Sequence, residues 1–219
     1  MITLKYTKSK PAVYVSHIDL LRNMVRIIRR TGIEAEFSKG FNPHMLLFFS
    51  PPIALGLKSV CEYVTADVKN VTQGEFLAAF NKCAPEGILA TAAFYGVKSP
   101  NLAAKIVAAD YEFAVMNPDC AAEITDYFKN ANEYYIEYTQ KKEQIKKEVS
   151  RQIINVSEGG RGLIFTLATG NDNLRADRLL SALKRDFGID TDINGITKIA
   201  QYVRSGDRLV GADEFLSES

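Results

Sequence analysis

The chain opens on a two-residue rhythm. Ile2, Leu4 and Tyr6 alternate with Thr3, Lys5 and Thr7, which predicts a half-buried strand because successive strand side chains point to opposite faces. From Ser16 the apolar spacing lengthens to that of a helix, expected over His17–Thr31 with Ser16 as its cap and Gly32 as its stop. On that helix Ile18, Leu21, Met24, Val25 and Ile28 are expected to face the core. Arg22, Arg26, Arg29 and Arg30 fall within about 100° of one another on the other side, with Asp19 among them. Strands are expected over Ile33–Phe37, Met45–Ser50 and Ser59–Val68. A helix from Thr72 to Cys83 then opens on a Thr72/Glu75 capping box, and Ile88–Tyr95 forms a further strand.

That order (strand, helix, strands, helix, strand) is the split βαβ pattern of a ferredoxin-like module. Residues 97–109, with Pro100 and several small side chains, read as a linker. The rhythm then starts again: strands at Tyr111–Val115 and Tyr134–Tyr138 flank a helix at Cys120–Asn130. A charged segment, Lys141–Arg151, leads to a hairpin turning at Gly159–Gly162, a helix over Leu174–Phe187 and a strand over Lys198–Val203. Gly211–Ser219 is expected to fray. The expected fold class is α+β, two tandem ferredoxin-like modules with antiparallel sheets, one over residues 1–98 and one over 107–219.

Composition adds little until it is read locally. With 47% hydrophobic and 24% charged residues, the chain is an ordinary globular sequence. Its net charge of +1 supplies no global field towards nucleic acid or membrane. Residues 1–50 nevertheless carry eight Lys/Arg against three acids (Asp19, Glu34, Glu36), a surplus able to meet phosphate. Cys61, Cys83 and Cys120 are far apart and form no ligand spacing, so no iron–sulfur cluster or other cofactor is expected in this chain. No apolar run approaches the roughly 18–20 residues that span a bilayer, and the N-terminus lacks the layout of a signal peptide. A cytoplasmic protein that makes no membrane contact is expected.

The candidate chemistry gathers in residues 16–62. Four arginines on one stripe suit bidentate contact with phosphate or carboxylate better than lysines would, although a solvated helix face neutralised by Asp19 and Glu34 or Glu36 has the same pattern. In the loop Ser38-Lys39-Gly40-Phe41-Asn42-Pro43-His44, Gly40 permits unusual backbone geometry. Pro43 stiffens the turn that would present Asn42 and His44. The chain's two histidines, His17 and His44, both lie in this region. If they converge, they form a general acid–base pair for a phosphodiester, with the arginines stabilising developing charge. No HxH or HxxxH spacing supports a metal site. Glu62 would buttress an arginine or a histidine. The candidate residues are therefore His17 and His44 for catalysis, and Ser16, Asp19, Arg22, Arg26, Arg29, Arg30, Ser38, Gly40, Phe41, Asn42, Pro43 and Glu62 for binding.

At Ser16-His17-Ile18-Asp19-Leu20, at the arginine-rich helix, at Gly40-Phe41-Asn42-Pro43-His44 and at Gly56-Leu57-Lys58-Ser59 with Glu62-Tyr63, the chain resembles the radical-SAM-linked protein family. The resemblance is strong over residues 1–95 and looser over 107–205. It departs from the family pattern at Met45, where proline usually follows the loop histidine. Members are encoded beside, or fused to the C-terminus of, a radical-SAM protein, and ribonuclease and ribosomal-protein genes recur nearby. The resemblance thus implies a radical-SAM protein encoded nearby as partner and RNA or another anionic molecule as substrate, with this chain binding and positioning the substrate and the partner performing the chemistry. Two alternatives stay open: an RNA-processing or RNA-modifying enzyme using His17 and His44, and a protein–protein adaptor to the radical-SAM subunit.

Overall fold

The structure is a computed structural model that describes residues 1–115 and 117–218. In chain order its regular elements are β1 (Ile2–Lys8), α1 (His17–Thr31), β2 (Leu47–Phe49), β3 (Lys58–Ala66), α2 (Gln73–Cys83), β4 (Ile88–Tyr95), α3 (Leu102–Lys105), β5 (Ile106–Ala114), α4 (Pro118–Asn130), β6 (Tyr135–Gln140), β7 (Glu143–Glu148), β8 (Ile153–Gly159), β9 (Gly162–Ala168), α5 (Ala176–Phe187), β10 (Ile196–Ser205), β11 (Arg208–Gly211) and α6 (Ala212–Ser217). The fold is α+β with mostly antiparallel strands. The chain divides into two compact units, Met1–Ile106 with the stretch from Tyr202 onward, and Val107–Gln201.

In the first unit β1 lies between β4 and β3, and β2 pairs with β3, every pair antiparallel. The alternation read from the sequence decides which faces are covered. Ile2, Leu4 and Tyr6 of β1 and Val64 and Ala66 of β3 pack with Leu20, Met24, Ile27 and Ile28 of α1 and Phe76 and Phe80 of α2. The other face carries Cys61 and Tyr63, packed with Leu102, Val203, Ala212 and Leu216. In the second unit the order is β10-β5-β9-β8, with β5–β9 and β8–β9 antiparallel. Phe113 and Phe165 meet edge to face at 5.2 Å between ring centroids in its core.

Five expectations are corrected. On α1 the buried stripe is Leu20, Met24, Ile27 and Ile28, whereas Ile18 and Leu21 are exposed and Val25 is half-buried. Ile18 lies only about 40° from Arg22 on the helix wheel, so it shares the arginine face. Ile33–Phe37 forms no continuous strand: Ala35 bridges Val68 while Phe37 bridges Met45, and two successive partners build no ladder. The expected linker holds α3 and the start of β5, because Leu102 and Ile106 stand one helical turn apart and are both buried. The charged stretch after Gln140 forms a second hairpin, β6–β7, turning through Lys141 and Lys142 at φ 49° and 71°. That turn has the primed geometry that usually asks for Asn or Gly, so the sequence did not announce it. The C-terminal tail is anchored by α6: Ala212 and Leu216 are buried, and Asp213 accepts from Lys5 Nζ at 2.5 Å and from the Tyr63 hydroxyl at 2.8 Å. Ser219, the end of the tail expected to fray, lies outside the described residues.

Candidate functional site

Ser16 starts α1 in extended geometry, and its hydroxyl accepts the Asp19 backbone N–H at 3.2 Å. The same hydroxyl donates to Asp19 Oδ2 at 2.8 Å, and Arg22 Nη1 donates to Asp19 Oδ1 at 3.1 Å. The Ser16 hydroxyl, and then Arg22, hold the Asp19 carboxyl below its usual range. Asp19 therefore acts as a local counter-ion at the positive end of the helix.

Along the solvent side of α1, Arg22, Arg26, Arg29 and Arg30 are all exposed. Among the described residues only Arg22 of the four has an ion-pair partner. Ile18, 64% exposed, and Leu21 lie beside them, so the face mixes guanidinium groups with apolar surface. The Arg29 guanidinium carbon sits 5.8 Å from the centroid of Phe37, a cation–π approach. That approach ties the stripe to the loop, because Phe37 and Met45 close the loop's base as an antiparallel bridge.

Ser38 and His44 lock the neck of the loop. The Ser38 N–H donates to the His44 carbonyl at 2.8 Å, the His44 N–H donates to Ser38 Oγ at 3.1 Å, and Ser38 Oγ lies 2.8 Å from His44 Nδ1. Gly40 turns the tip at φ 127°, a conformation that side-chain-bearing residues resist, with open space where a Cβ would stand. Phe41 is fully exposed at that tip, followed by exposed Asn42 and Pro43.

His17 sits elsewhere. Its ring meets Phe49 edge-on at 5.4 Å, and together with Tyr6, Lys8, Ser50 and Glu62 it lines a narrow cleft at the start of α1. Lys8 is 2% and Glu62 3% exposed. Ser59 Oγ donates to Glu62 Oε1 at 2.7 Å, and Lys8 Nζ donates to the Val15 carbonyl at 3.0 Å, just ahead of the α1 cap. Burial, and then the Glu62 carboxylate, push the Tyr6 hydroxyl well above its usual range.

The candidate residues thus form two groups. The arginines join Ser38, Gly40, Phe41, Asn42, Pro43 and His44 through Arg29 and Phe37, while His17 joins Glu62. Among the described residues no contact joins the two histidines: His17 meets Phe49, and His44 bonds Ser38. Twelve residues of helix separate His17 from Arg29, about 18 Å of rise. Sequence reasoning missed Tyr6, Lys8 and Ser50, and met Ser59 only as part of the Gly56-Leu57-Lys58-Ser59 motif. A signal for Lys8 existed: it continues the core-facing phase of Ile2, Leu4 and Tyr6, where a lysine is out of place. Among the described residues no group of three His, Cys, Asp or Glu is arranged to hold a metal ion, and no helix is long and apolar enough to cross a membrane.

No curated protein shows significant similarity to the chain. Residues 1–181 match the family described as uncharacterized protein conserved in bacteria (DUF2344), and the chain belongs to that family.

Proposed function

We propose that the solvent face of α1 and the 38–44 loop form a surface for single-stranded RNA, and that the chain is a cytoplasmic accessory to a radical-SAM enzyme, presenting RNA to that partner. The observation that carries this reading is the exposed arginine stripe joined, through Arg29 over Phe37, to a rigid loop with a fully exposed Phe41 at its tip. Arginines along a backbone and an aromatic ring available for a base are the two parts of a single-strand binding surface. The Ser16-to-Leu20 and Gly40-to-His44 motifs support the radical-SAM association. The separation of His17 from His44 favours binding over catalysis by a histidine pair.

The element orders support a finer reading of the fold as tandem ferredoxin-like modules. β1-α1-β2-β3-α2-β4 with sheet order β4-β1-β3-β2, and β5-α4-β8-β9-α5-β10 with order β10-β5-β9-β8, follow the same scheme, the β6–β7 hairpin being an insertion in the second.

The test is fluorescence anisotropy of a labelled single-stranded RNA titrated with the full chain over a salt series. Affinity is expected to fall with salt. Arg22→Ala with Arg26→Ala should reduce the log–log slope by about 1.4, roughly 0.7 for each phosphate no longer neutralised. Phe41→Ala should cost about 1–3 kcal/mol at any salt. If the double arginine variant keeps the affinity and slope of the parent, the RNA reading is wrong.

A further inference from the structure

We infer that the outer edge of β4, with the apolar pocket at its C-terminal end, is a docking site for an extended, acidic segment of a partner protein. The inference is independent of the RNA reading. It concerns the sheet face opposite α1, as the grouping of Phe94 with the Cys61–Leu216 cluster shows.

β4 is the end strand of the order β4-β1-β3. Its eight residues, Ile88–Tyr95, include no charged side chain and no proline, so it lacks the devices that usually protect an edge from pairing. Met1 and Gly96 exchange backbone bonds, Gly96 N–H to the Met1 carbonyl at 3.0 Å and the Met1 amine to the Gly96 carbonyl at 2.9 Å. In an antiparallel pair such exchange alternates. With Tyr95 opposite Ile2 and Ala93 opposite Leu4, Ala93 and Tyr95 therefore turn their N–H and C=O groups outward. Further back the edge is closed, because Asn81 both donates to the Ala90 carbonyl at 2.8 Å and accepts its N–H at 2.7 Å. Among the described residues the open stretch begins after Ala90.

Where that stretch ends, a cavity of about 340 Å³ opens between Phe94, Val97, Phe215 and Leu216, with Lys98 and Lys105 on its rim. That volume lies at the lower end of the range for built binding pockets. The Lys105 ammonium stands 4.5 Å over the Phe215 ring, and no acidic residue is among those lining the cavity. Among the described residues neither Lys98 nor Lys105 has an ion-pair partner. An open backbone edge, an apolar pocket and two lysines without a carboxylate partner among the described residues together fit strand addition by a peptide with one apolar anchor and neighbouring carboxylates. Charge argues against a second copy as occupant, since a second β4 brings no Asp or Glu to meet Lys98 and Lys105.

The probe is a labelled peptide of about ten residues alternating valine with glutamate around a central phenylalanine, compared with its lysine-for-glutamate counterpart and titrated into the full chain. The acidic peptide should bind at least about tenfold more tightly than the basic one. Lys98→Glu with Lys105→Glu should reverse that preference. Hydrogen exchange at the Ala93 and Tyr95 amides should slow on binding, and Ala93→Pro, which removes an outward N–H, should weaken the complex. No binding of the acidic peptide up to about 1 mM, equal binding of both peptides, protection located away from β4, or self-association through β4 in sedimentation would each overturn the inference.

Discussion

The two ends of α1 treat polar groups in opposite ways. At its start, Lys8, Glu62, Ser50 and Ser59 are buried beneath His17, and their bonds run to one another and to the backbone. At its far end, Arg29 and Arg30 are exposed, and Arg29 leans on an aromatic ring at the foot of a loop whose tip is entirely in solvent. Burying polar groups costs free energy unless they satisfy each other, so the first end is a device for anchoring the helix on the sheet. At the far end the backbone and Thr31 are satisfied, but among the described residues the Arg29 and Arg30 guanidinium groups have no ion-pair partner. One helix joins a fixed foot to an exposed, arginine-bearing face.

The sharpest way to break this contrast is to remove the buried carboxylate. Glu62→Ala leaves the Lys8 ammonium in the same cleft with one counter-charge fewer and strips Ser59 of its acceptor. An expected loss of about 3–5 kcal/mol follows, read by urea denaturation. Glu62→Gln keeps the shape and an acceptor for Ser59 and should lose distinctly less. Equal losses for the two would mean that the buried charge plays no part in the anchor.

Leu20→Ala tests the same helix through packing. Leu20 is 4% exposed within the core, and truncation there should cost about 2–5 kcal/mol. Ile18→Ala, two residues earlier on the arginine face, should stay within about 0.5 kcal/mol. A large effect at Ile18 in the isolated chain would show that this face is packed rather than open.

That pair of variants also marks how far the sequence could be read. The limits of α1 were legible because Ser16 and Gly32 are chemically suited to end a helix, Gly32 in the left-handed region at φ 72°. Its inward direction was legible only in part: Met24 and Ile28 are buried as expected, but Ile18, Leu21 and Val25 form a second apolar arc, and helical spacing cannot rank two arcs without knowing what lies underneath. The loop was legible from Gly40 and Pro43, whose backbone demands are local. The cleft was not, since Lys8 and Glu62 lie far apart in the chain and meet only through the register that sets Tyr6 opposite Glu62 and Lys8 opposite Ser59. Pairing register is a tertiary decision, made by the whole hydrophobic pattern and not by the residues it brings together.

A smaller effect than those at Glu62 and Leu20 separates the cap from the charge at the start of α1. Ser16→Ala removes the acceptor for the Asp19 N–H and should cost about 1 kcal/mol at pH 7. The Ser16 hydroxyl also donates to the Asp19 carboxylate, and that bond, with Arg22, lowers the pKa of Asp19 in the folded state. A carboxylate whose folded value is depressed stabilises the fold above its unfolded value, near 4, and loses that contribution as pH falls through the folded value. The charge-dependent part of the Ser16 effect is therefore present at neutral pH and absent in strong acid, while the neutral cap bond persists. Thermal melts of the parent and Ser16→Ala across that acid limb should show the gap between them narrowing without closing. A gap that stays constant would assign the whole effect to the cap, and Asp19 would then be a counter-ion for Arg22 alone.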